Sequence, residues 1–122
     1  MAKWVAPAVL DGALAVVAGA TRLLAVAGQP GTYVEAMAGR LAESPLTPAD
    51  FTLAPGDVSG RKVSVAARAE VPVVASGVAD HVALVSAANS SLLYVTTCPP
   101  QALMAGGTVD FGSWSIELSD PV

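Results

Sequence analysis

The stretch GVADHVALVSAANSSLLYVTT, residues 77–97, decides how the rest of the chain is read. His81 to Ala87 is a run of β-branched and leucine side chains, Ala88-Asn89-Ser90 carries turn chemistry, and Leu92 to Thr97 is a second run of the same character. Both runs hold apolar residues at consecutive positions, the mark of strands covered on both faces for part of their length. The sequence therefore predicts an antiparallel hairpin with His81 at the head of its first strand and Cys98 just past the end of its second.

Outward from the hairpin, alternation with a period of two takes over. Phe51 and Leu53, Val63 and Val65, Val71, Val73 and Ala75, Val109 and Phe111, and Trp114, Ile116 and Leu118 form the inward set. Lys62, Ser64, Glu70, Ser113, Ser115 and Glu117 form the outward one, which describes sheet with one wet face. TRLLAVAG (21–28) reads as a short buried strand that QPGTY (29–33) stops. Turn residues recur at Pro55-Gly56-Asp57, Ser59-Gly60, Ser76-Gly77 and Gly106-Gly107. The expected fold is all-β, an antiparallel β-sandwich or small barrel of about eight strands in a single domain over residues 1–122, with one short N-terminal helix.

That helix comes from MAKWVAPAVLDGALAVVAGATRLLAV (1–26). Lys3 before an apolar run resembles a targeting segment, but Asp11 splits the run, Pro7 sits early in it, and Gly12 to Ala20 is too short to cross a bilayer. A helix beginning near Pro7 fits better, with Leu10, Ala13, Leu14 and Val17 along one stripe. Trp4 and Val5 then precede the helix, outside the sheet core, and are the candidate partner contacts.

Composition bounds the function. Apolar residues make up 53% of the 122, aromatics 5% and charged residues 13%, about half the usual charged share. A surface so poor in charge is expected to be covered in part by partners. Ten acidic residues against six basic ones give a net charge of −4, and no basic cluster exceeds Arg61-Lys62, so the chain offers no patch for nucleic acid. One cysteine excludes an internal disulfide.

Templates for chemistry fit poorly. A lone His81 at the start of a strand reads as a hydrogen-bonded structural residue, and strict alternation turns Asp80 to the opposite face, where it cannot orient the imidazole. Cys98 reads as a small strand-end residue without the base a thiolate nucleophile requires. One His and one Cys leave zinc short of ligands. GDVSGRKV (56–63) opens a strand rather than a phosphate-binding helix, so Gly60 reads as a turn residue with a permissive φ. Asp50 and Asp57 read as solvated turn residues rather than an acid-base pair, and Trp114, in phase with Ile116 and Leu118, reads as core. No catalytic, metal-binding or cofactor-binding residues are assigned.

Five segments carry a resemblance: WVAPAVLDGAL (4–14), ATRLLAVAGQPGTYVEA (20–36), GDVSGRKVSVAA (56–67), ASGVADHVALVSAANSSLLYVTT (75–97) and GGTVDFGSWSIELSDPV (106–122). Together they resemble a group of small virion-associated proteins encoded with the head genes of tailed bacteriophages. The resemblance implies a β-rich structural protein of the virion, in the first place a capsid decoration (cement) protein that binds across capsid subunits. Its implied partners are the major capsid protein and neighbouring copies of itself, with no nucleic acid, membrane, cofactor or enzymatic activity. The alternatives are a head-tail or tail component, or a carbohydrate- or receptor-binding module with Trp4, Tyr33, Tyr94 or Trp114 on one concave face.

Overall fold

A computed structural model describes residues 3–120. In chain order the elements are α1 (Pro7–Val17), β1 (Arg22–Val26), α2 (Tyr33–Ala38), β2 (Arg40–Pro45), a 3-10 turn (Pro48–Asp50), β3 (Phe51–Pro55), β4 (Arg61–Val65), β5 (Arg68–Pro72), β6 (Gly77–Ser86), β7 (Ser91–Leu103), β8 (Thr108–Phe111) and β9 (Trp114–Leu118). Every strand pairing is antiparallel. The fold is all-β with a short N-terminal helix, as the sequence predicts.

One layer is a four-stranded sheet in the order β2-β1-β6-β7; the other is divided between a three-stranded sheet, β3-β4-β9, and a two-stranded one, β5-β8. The strand β1 shows why its sequence is apolar throughout. Leu23 turns inward to meet Val63, Val65 and Ile116 of the three-stranded sheet, and Ala25 turns inward to meet Val71 and Val73 beside the two-stranded one. Leu24 and Val26 turn outward, where Ala36, Tyr33 and Met37 of α2 cover them together with Ala83 and Val85 of β6. Both faces of the central strands are thus dry, so alternation vanishes from their sequence.

The helix α1 begins at Pro7 and sets Leu14, 1% exposed, into the core between the layers. Asp11, the residue that interrupts the apolar run, accepts from Arg61 Nε at 2.7 Å and pins the helix to β4. Ala13, by contrast, faces solvent, so the buried stripe is narrower than expected. Leu53 is also exposed, because β3 is the outer strand of its sheet and only Phe51 reaches the core.

The edge strand β2 is covered by a bridge from Ala42 to Val73 and by Arg68 of β5. The Arg68 guanidinium donates to Ser44 Oγ at 3.1 Å, Asp50 Oδ1 at 3.0 Å and the Pro45 carbonyl at 3.0 Å, tying three segments with one fork. Asp50 is therefore an ion-pair partner with a side chain 14% exposed, not the solvated turn residue expected from sequence. It also closes a capping box with Thr47 at the 3-10 turn. Asp57, 73% exposed and paired with Lys62, does match the expectation.

Candidate functional site

Three places hold the residues singled out from sequence: the arm before α1, an irregularity in the β6-β7 hairpin, and the aromatic side chains.

The arm is the most open. Trp4 is 80% exposed, the largest side chain in the molecule left so bare, and Val5 is half-buried. Both lie in irregular backbone that leads to Pro7. Val9 and Val16 extend the apolar character along the outer side of α1, at 61% and 63% exposure. An exposed indole at the end of an arm is the residue type that anchors protein interfaces, since a rigid ring buries much surface at small entropic cost.

The hairpin irregularity overturns one expectation. Between Ala79↔Gln101 and His81↔Thr97, β6 advances by two residues while β7 advances by four, so Cys98, Pro99 and Pro100 bulge opposite Asp80. The phase of β6 shifts there, which is why Ala79 and Val82 both face the inner core although they are three positions apart, an odd spacing that strict alternation sends to opposite faces. Asp80 consequently reaches its neighbour: His81 Nδ1 lies 2.8 Å from Asp80 Oδ1, which also accepts from the Gly28 amide at 2.7 Å. Strict alternation places these two side chains on opposite faces, and it fails where the ladder is irregular. A carboxylate has only acceptors to offer, so the Nδ1 atom carries the proton.

The hydrogen bond from His81, followed by that from Gly28, holds the Asp80 carboxyl below its ordinary value of 3.8. A depressed acid stabilises the fold above its unfolded-state value and loses that contribution as pH falls through the folded-state value. The stability difference between wild type and Asp80→Asn is therefore expected to stay constant at neutral pH and to shrink in acid, below 3.8. Urea titrations across that range check it; a difference that grows in acid contradicts the assignment.

This pair does not form a nucleophilic centre with Cys98. Burial, followed by the negative charge of Asp80, pushes the Cys98 thiol up, the reverse of what a thiolate needs. Cys98 does not end its strand either, since β7 runs on through Pro99 and Pro100 to Leu103. Its position on an outer strand accommodates residues that lack an amide hydrogen. The thiol instead lines a cleft of about 360 Å³ between the layers. Among the described residues no group of three His, Cys, Asp or Glu side chains is arranged to hold a metal ion.

The four aromatic candidates do not share a face. Tyr94 and Trp114 pack together between the layers, ring centroids 6.0 Å apart and tilted by 32°. The Trp114 Nε1 is buried without a hydrogen-bond partner, so this indole belongs to the core, as its phase with Ile116 indicates. Tyr33 lies on the opposite side of the four-stranded sheet, and Trp4 stands on the arm. A stacking platform for sugar built from these residues has no basis in this arrangement.

Sequence reasoning missed the cleft, because it lies at a seam between two sheets that no local pattern marks. No helix among the described residues is long and apolar enough to cross a membrane. Comparisons of the chain with family models, with curated proteins and with solved structures find no match.

Proposed function

We propose that this protein is a structural component of a tailed-bacteriophage virion, a capsid decoration protein that stabilises the head by bridging capsid subunits. The reading starts from the resemblance carried by the five sequence segments, and one structural observation supports it above others: Trp4, at 80% exposure, projects on an arm ahead of a helix whose own outer side is apolar. A protein of this role adds buried area rather than chemistry, at roughly 25 cal/mol per Å² of apolar surface before the costs of association. Many copies on a symmetric shell then multiply a modest contact. Trp4 and Val5 serve as the docking contacts, against a capsid protein or a neighbouring copy, and the reading assigns no catalytic step.

Purified protein mixed with mature shells that lack it is expected to bind saturably, and Trp4→Ala to bind with occupancy reduced in line with a loss of about 2 kcal/mol. Because Trp4 touches little of its own domain, the variant keeps wild-type stability, which a melting curve verifies. Equal occupancy of the two proteins removes Trp4 as the anchor. Failure of both to bind any shell refutes decoration and favours a position in the tail or at the head-tail junction.

A further inference from the structure

The cleft that holds Cys98 has a structural cause. The inner face of the four-stranded sheet is covered by two smaller sheets that do not join, and the chain steps from one to the other at Gly112-Ser113, between β8 and β9. Above that seam Val82, Leu103, Val109 and Phe111 are left with a gap of about 360 Å³, which the Cys98 bulge borders. This volume is at the small end of ligand-sized cavities, roughly 300–1,000 Å³. It suits a single large ring rather than a helix or an extended peptide.

The charges point to the source of that ring. Of the six cations, Arg22, Arg40, Arg61, Lys62 and Arg68 each have a carboxylate within 4.0 Å, and among the described residues Lys3 has none. Lys3 stands next to Trp4. Asp110, an exposed carboxylate at the cleft, accepts from the Glu70 amide at 2.8 Å but has no cation partner among the described residues. It stands next to Phe111, one of the apolar walls. Among the described residues there is thus a cation without an ion-pair partner beside the barest indole and an anion without one beside the apolar cleft.

The two do not meet within one chain: neither Lys3 nor Trp4 is among the residues that line the cleft, and Trp4 is 80% exposed. Asp11 pins α1 to Arg61, whereas the cleft lies beyond the other end of β4, where Val65 pairs with Trp114. From Arg61 to Val65 the strand runs for five residues, a span of roughly 13 Å at 3.3 Å per step.

We propose that Trp4 of one copy inserts into the seam cleft of a neighbouring copy, with Lys3 set against Asp110. This rests on the docking role given to Trp4 and names its receiving surface: a second copy of this chain. Because arm and cleft are different surfaces, the contact is heterologous, closing as a reciprocal pair or propagating from copy to copy. Burial of the indole supplies the affinity and the flanking charge pair the orientation.

The single cysteine makes the contact measurable. In Val5→Cys, which leaves Lys3 and Trp4 in place, mild oxidation is expected to link position 5 of one chain to Cys98 of another, giving covalent oligomers that reductant dissolves and a 5–98 bond that is lost when Cys98→Ser is added. Peptide mapping identifies the bonded pair. In the wild type, the rate at which a maleimide modifies Cys98 is expected to fall as protein concentration rises, about fourfold at ten times the dissociation constant, since arms and clefts are present in equal number. In Trp4→Ala it stays flat. A bond within one chain, bonds between two positions 5 alone, or a wild-type labelling rate that ignores concentration overturns the proposal. Each uses purified protein without shells, so such a result leaves binding to the capsid to its own test.

Discussion

Replacing Leu84 by alanine is expected to destabilise the fold by about 2–5 kcal/mol, one of the two largest single-residue effects in this molecule. Leu84 is 0% exposed, sits two residues before the end of β6 opposite Leu23 on one side and Tyr94 on the other, and points into the cluster shared with Val63, Val65 and Ile116. Truncation removes apolar contact from both layers at once. The strand β6 is hydrogen-bonded to β1 on one side and β7 on the other and has little freedom to close the void, which places the cost above that of simple transfer. At this chain length a loss of about 3 kcal/mol lowers the melting temperature by roughly 10 °C. Leu53→Ala, at a position 41% exposed on the outer strand β3, supplies the comparison and is expected to cost under about 1 kcal/mol. Equilibrium denaturation of both variants tests the layered core; a cost at Leu84 no greater than at Leu53 means the two layers do not share it.

The contrast between those two leucines shows what the sequence can and cannot reveal. Period and composition identify β1, β4, β6 and β9 because each is regular and at least one face is dry, and Pro7 marks the start of α1 because its ring suits a first helical turn. Which leucine is core is another matter. Leu53 and Val63 have the same local signature, yet Leu53 lies on an outer strand and Val63 between two neighbours, a difference set by sheet order rather than by the residues around them. The short helix α2 is hidden in the sequence for a similar reason: within Tyr33–Ala38 its helical signal is brief, and Thr32 and Glu35 supply caps rather than periodicity. The Asp80-His81 contact and the cleft depend on a ladder irregularity and a seam between sheets, both products of long-range pairing. Trp4 and Val5 can be singled out because Pro7 marks where the helix begins and so where the arm ends, but the surface that receives them is assembled from residues scattered between Val82 and Phe111.

Gly60→Ala is the second substitution expected to be severe, and its neighbours in the glycine set explain why. Gly60 adopts φ +70°, the left-handed region, so the turn before β4 does require the permissive residue read from GDVSGRKV. Gly106 has φ +88° and open space where a Cβ would stand; alanine there meets backbone strain alone and is expected to cost about 1 kcal/mol. At Gly60 the added Cβ would fall 1.9 Å from the Leu118 carbonyl oxygen. That oxygen belongs to the strand β9, paired with β4 along its length, and cannot swing aside as a side-chain tip could. Either the turn must open or the β4-β9 ladder must slip, and both expose the cluster around Val63 and Ile116. The expected cost is at least about 3 kcal/mol, the range in which strain and lost packing combine. Gly56 separates the two causes: its φ is not positive, but a Cβ would lie 2.0 Å from the Ser59 carbonyl oxygen, so Gly56→Ala tests crowding without left-handed strain. The expected order of destabilisation is Gly60 above Gly56 above Gly106, read from denaturation midpoints at constant slope. If Gly60→Ala costs no more than Gly106→Ala, the close approach of this turn to Leu118 is absent in solution, and the β3-β4 loop packs differently against β9.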